Sequence, residues 1–131
     1  MQLSFRALSI FTAMLCLLLS LVWGFAPQWM LLLWDNEYSL TAGLVARRTA
    51  VLFAAWSLLL FLVRNEGPST IRQALSSSFV VACWGLAVLG FAEWLNGHAG
   101  PGILLAVGVE LALGLAFFQT RRVSVQLEAA L

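Results

Sequence analysis

Long apolar runs and short polar breaks alternate along this chain, and the runs have one length scale. Residues 7–26, 44–63, 74–95 and 102–118 each carry close to the roughly 20 apolar positions that a helix needs to cross a bilayer. The breaks are of the kind that end helices. Pro27 closes the first run, because it removes a backbone donor and pushes its predecessor out of the α region. Arg64-Asn65-Glu66-Gly67-Pro68 closes the second, with Ser69 or Thr70 placed to cap a new helix. The turn at 96–102, Asn-Gly-His-Ala-Gly-Pro-Gly, separates the third from the fourth. The pattern predicts an all-α, integral membrane four-helix bundle in a single domain, residues 1–131. A seven-residue apolar piece at 28–34, flanked by Trp29 and Trp34, is too short to cross and reads as an interfacial segment.

The first run exceeds the roughly 7–15 residues of a signal-peptide core, and Pro27 would directly follow its small-residue site Gly24-Phe25-Ala26. It is therefore expected to stay as a membrane helix. Within the runs, small residues recur at helical spacing: Ser9, Ala13, Cys16, Ser20 and Gly24 in the first, and Ala50, Ala54 and Ser57 beside Arg47 in the second. The third has Ser78, Ala82, Gly85, Leu89 and Glu93, and the fourth Gly102, Ala106, Glu110 and Gly114. Such faces allow close helix approach in lipid.

Composition strengthens the membrane reading. The 131 residues are 62% hydrophobic and 10% charged, against about 25% charged in an average soluble domain. A chain this small cannot hide that apolar excess inside itself. Net charge is +1, which leaves no electrostatic footprint for nucleic acid. Cys16 and Cys83 stand apart in separate apolar runs and form no metal or redox motif, so they read as small buried hydrophobes. His98 reads as an exposed loop residue. No phosphate-cradling loop, helical histidine pair or nucleophile with a recognisable base is present. The sequence therefore gives no catalytic, cofactor-binding or metal-binding residue, and no cofactor.

Arginines set the expected orientation. Arg6, Arg64, Arg72, Arg121 and Arg122 fall at one end of a four-span topology, and Arg47 and Arg48 at the other, which by the positive-inside rule puts both termini in the cytoplasm. Arg47, Arg48, Glu93 and Glu110 then lie in the outer half, with Glu110 roughly 12–14 Å below the start of its span. Each such charge costs about 2.5–3.5 kcal/mol on insertion scales unless paired, hydrated or neutralised. These four residues form the candidate polar cluster, with Arg47 or Arg48 reaching Glu110 or Glu93 and with Trp34, Tyr38 or Asn96 completing the hydrogen bonds. Two readings follow: a clamp that fixes helix pairing, or an outward-facing pocket for the polar head of a quinone, lipid or other amphiphile, with a proton step as a variant.

Ala26-Pro27 at the end of the first span, Ala46-Arg47-Arg48-Thr49-Ala50 at the opening of the second and Leu62-Val63-Arg64 before a short polar loop resemble the small four-helix bacterial inner-membrane proteins of the DoxX-like kind. That resemblance implies a multi-pass bundle in the bacterial inner membrane, and some members of the group serve as subunits of quinone-linked respiratory enzymes. The sequence is thus expected to encode a non-enzymatic accessory or assembly subunit, packed in the lipid bilayer with a membrane protein partner or further copies of itself. The alternatives are a binding or redox subunit for a membrane-soluble amphiphile, and a small proton-coupled transporter or channel component.

Overall fold

The computed structural model describes residues 4–131, and every regular element among them is helical. In chain order these are α1 (Phe5–Phe25), α2 (Pro27–Leu33), α3 (Leu40–Leu62), α4 (Thr70–Leu95) and α5 (Ile103–Ala129). All except α2 are long and apolar enough to cross a membrane. Ser4, Ser39 and Ser69 cap α1, α3 and α4, each hydroxyl accepting from the backbone N–H three residues on. Pro27 sits in the first turn of α2, where its missing N–H leaves no bond unmade. α3 begins four residues before the apolar run predicts, because the Ser39 cap lies inside the polar loop. α5 outlasts its apolar run by eleven residues, since 119–129 contains no glycine or proline to stop it.

The helices associate as two antiparallel pairs, α1 with α3 and α4 with α5, that touch each other far less than the members of each pair do. In the first pair the small-residue stripe of α1 meets α3. Ser20 donates its hydroxyl to the Ala50 carbonyl at 2.8 Å and Ser57 to that of Ala13 at 2.7 Å, while Gly24 faces the Ala50 methyl. In lipid such bonds contribute on average about 0.6 kcal/mol each. The α3 face that turns inward runs through Gly43, Ala46, Ala50 and Leu60. In the second pair Gly90 lies against Val107, and the Trp84 indole occupies the notch left by Gly114. α4 buries Ser76, Phe79, Cys83, Ala87 and Gly90. The expected stripe of Ser78 and Gly85 is instead exposed, because the bulk of Phe79 and the α5 contacts fix the other face inward.

The pairs join at two levels. Toward the end where α1 and α4 begin, Trp56 of α3 meets Phe79 edge-on at 6.0 Å, and Phe79 stacks on Phe117 at 5.0 Å. The Arg72 guanidinium lies 4.6 Å from the Phe5 ring centre at that same end, where Gln73 also bonds Glu128. At the other end the Gly100 N–H donates to the Trp34 carbonyl at 2.7 Å. Gly102 there packs so tightly on the Leu33 carbonyl that no side chain fits. Gly102→Ala is expected to destabilise the protein by about 1–3 kcal/mol through overpacking. Gly108→Ala, in open space, should stabilise by up to about 1 kcal/mol, with both changes read by denaturant unfolding in lipid micelles.

Candidate functional site

Between its two points of contact the bundle is not filled. Helix faces of small residues make the space: Ala82 and Cys83 on α4, Cys16 on α1 and Ala106 on α5 leave a chamber of about 260 Å³, walled otherwise by Phe53, Trp56, Phe79 and leucines. A lateral cleft of about 470 Å³ runs from it past Val45 and Thr49 of α3, and the two spaces share Trp34, Phe53, Leu86 and Glu110. An outer groove of about 300 Å³ leads toward Glu93 and His98, and it too is bounded by Trp34 and Glu110. Trp34, Glu110 and Leu86 are therefore the common wall of all three spaces.

α5 presents Glu110 there from its 102/106/110/114 seam, which runs from the Leu33 backbone at one end to Trp84 of α4 at the other. Gly102 holds the Leu33 carbonyl, Gly114 receives Trp84, and the two members between them, Ala106 and Glu110, line the void. Glu110 is half-buried and makes no hydrogen bond or ion pair among the described residues. Trp34 ends α2, and its ring is braced by Trp23 at 5.3 Å. Its Nε1 is buried, and no acceptor for it exists among the described residues. A buried indole N–H ordinarily finds a partner. The residues around the chamber thus include one indole and one carboxyl-bearing side chain in an otherwise apolar lining.

The four residues expected to cluster do not form one group: Glu93 and Glu110 line the outer groove together, and the two arginines lie elsewhere. Arg47 and Arg48 are exposed, have no carboxylate partner among the described residues and line none of the three spaces. α3 turns Ala46 and Ala50 inward against α1, and Arg47, one residue on from Ala46, is rotated about 100° away. Ala54, expected on the inward face with Arg47, is exposed as well. Glu93 pairs with His98 instead, Nδ1 to Oε2 at 2.8 Å. The turn at 96–102 brings the imidazole back over the last turn of α4, aided by Gly97 at φ 75°. His98 is exposed, as its loop position suggests, but it is not alone. The Glu-x₄-His spacing across a helix C-terminus is the signal that pairs them. Of the polar groups proposed to complete the cluster, Trp34 reaches Glu110's cavities, Tyr38 packs over Gly43, and Asn96 caps α4.

Among the described residues no group of three His, Cys, Asp or Glu side chains is placed to hold a metal ion. Comparison with family models, with curated proteins and with solved structures gave no match.

Replacing both Arg47 and Arg48 by Gln should leave the unfolding free energy within about 0.5 kcal/mol of the parent, as at other exposed positions. Were either arginine the partner of a buried Glu110, the loss would be about 3–5 kcal/mol.

Proposed function

We propose that this multi-pass membrane protein binds the polar head of a membrane-soluble amphiphile, a quinone or a lipid, between its two helix pairs, with the tail leaving through the lateral cleft. The carrying observation is that Trp34, whose buried indole N–H has no acceptor among the described residues, and Glu110, which makes no hydrogen bond among them, both line one apolar chamber. A head group that accepts from Trp34 Nε1 and hydrogen-bonds Glu110 would satisfy both, and polar groups that fix orientation inside an apolar cavity are the usual form of a small-ligand site. The cleft supports an amphiphile over a water-soluble ligand, because Val45, Ala46, Phe53 and Leu86 of its walls are apolar and belong to helices long enough to cross a membrane. Arg47 plays no part in this site.

The arginine distribution supports a bacterial inner membrane location with both termini cytoplasmic: Arg6, Arg64, Arg72, Arg121 and Arg122 all belong to the end where α1 and α4 begin. A likeness to DoxX-like proteins is part of the same proposal. A role as an accessory or assembly subunit is compatible with ligand binding and has its own support. Ser78 and Gly85 leave a shallow exposed strip on α4, with nothing within 4 Å of where a Gly85 side chain would stand, and small exposed residues in lipid favour close approach of a further helix.

Short-chain ubiquinone added to the protein in lipid nanodiscs should quench its tryptophan fluorescence saturably. Trp34→Phe, which keeps the ring and loses the donor, and Glu110→Ala should each weaken binding about tenfold, the equivalent of one hydrogen bond. Ala106→Phe should abolish it by filling the chamber. Equal saturation curves for the parent and all three variants would refute the site.

A further inference from the structure

The outer groove joins the carboxyl at the chamber to a second pair of proton-bearing groups. Glu93 and His98 line its upper part with 40% and 67% of their side-chain surfaces exposed, so that end lies open to the surrounding water. Glu110 lines its lower part. The α4–α5 register, read from Gly90 against Val107 and Trp84 against Gly114, sets Glu93 level with residue 104 and leaves Glu110 about 9 Å deeper along the axis. That gap is too long for direct transfer. It is spanned by a space of about 300 Å³, which has room for several waters at about 30 Å³ each.

We propose that this groove is a proton-access route by which Glu110 exchanges protons with water on the face of the membrane that carries the 96–102 turn, with the Glu93–His98 pair as its outer station. A proton taken up from water by the imidazole or by the Glu93 carboxylate passes along water in the groove to a Glu110 carboxylate oxygen. The outer pair is then reprotonated from the surface, no electron moves, and the reverse sequence discharges Glu110. Imidazole suits the outer position because one ring both accepts and donates. The other titratable groups around Glu110 are the thiols of Cys83 on α4 and Cys16 on α1, across the chamber. α2 and α3 present no charged side chain to it, since Arg47 and Arg48 line none of the three spaces. Toward the opposite membrane face the described residues pack into a buried cluster that includes Leu60, Phe79 and Phe117. The inference deepens the ligand reading, because a chamber with one-sided proton access suits an amphiphile whose head gains or loses protons at that site.

Two measurements test it on the full chain in oriented proteoliposomes. With Cys16→Ala and Cys83→Ala as background, Glu110→Cys should react with a membrane-impermeant methanethiosulfonate at least tenfold faster from the His98 face than from the Arg64 face. Leu111→Cys, exposed on the lipid side of α5, should react from neither. In the parent protein, the infrared carboxyl band removed by Glu110→Gln should follow pH changes on the His98 face only. Its response should slow about tenfold in Glu93→Gln/His98→Ala. Labelling from both faces or from neither, or an unaltered response in the double variant, would overturn the route. These readouts need no bound amphiphile, so sided access without ubiquinone quenching would sink the ligand reading alone. Quenching without sided access would sink this one alone.

Discussion

The constraint on which the structure depends is that two tightly packed helix pairs are held a fixed distance apart. At one level the spacer is aromatic: Trp56, Phe79 and Phe117 form a wedge whose rings touch edge and face. At the other it is backbone: Leu33 and Trp34 at the end of α2 rest on Gly100 and Gly102 with no side chain between. A bundle of four equally spaced helices would close on its own axis. Here small residues pack each pair internally, α1 on α3 through Ser20, Gly24 and Ala50 and α4 on α5 through Gly90 and Gly114, while those that face the other pair, Cys16, Ala82 and Ala106, are too short to fill the gap between the two spacers.

That division explains why a carboxyl can stand at this depth. Glu110 is not held by a counter-charge. It stands on one seam between Ala106 and a Gly114 occupied by Trp84, and it lines the same chamber as Trp34, whose indole N–H has no acceptor among the described residues. A buried donor left without an acceptor, as at Trp34, typically costs about 1–3 kcal/mol, a cost that a purely structural seam gains nothing by keeping. Trp34 and Glu110 both line the chamber, and together they mark a site poised for a third partner. The Glu93–His98 pair, by contrast, is an exposed ion pair of the kind that contributes at most about 1 kcal/mol, so its interest lies in where it stands, above the groove.

Much of the architecture was legible in the sequence. The four spans, the Pro27 break, the short tryptophan-flanked segment and the small-residue face of α1 follow directly from periodicity and backbone chemistry, because in lipid these alone decide which segments are helices and how closely they approach. The cavities were less legible. Placing Arg47 on the inward face with Ala50, Ala54 and Ser57 errs by one position: Ala46, Ala50 and Ser57 share a face that excludes Arg47, and a helical wheel cannot separate two faces that both contain Ala50 until the partner helix is known. The same limit applies to α4, where Ser78–Gly85 and Ser76–Ala87 are both credible small-residue stripes and the ring of Phe79 selects the second. Glu110 was identifiable as an intramembrane carboxylate within a small-residue seam. Trp34 was one of three candidate neighbours offered with Tyr38 and Asn96; that it alone reaches the cavities of Glu110 depends on α2 resting on the 96–102 turn, a tertiary contact that no local pattern encodes.

The most direct test is a map of the protein in lipid nanodiscs at a resolution that shows side chains. Two helix pairs touching at Phe79 and at Trp34–Gly100, with density from a non-protein head group between Trp34 Nε1 and the Glu110 carboxyl, are the predicted result. A Glu110 carboxylate bound to the Arg47 guanidinium, or turned outward into the acyl chains with the chamber collapsed, would contradict it.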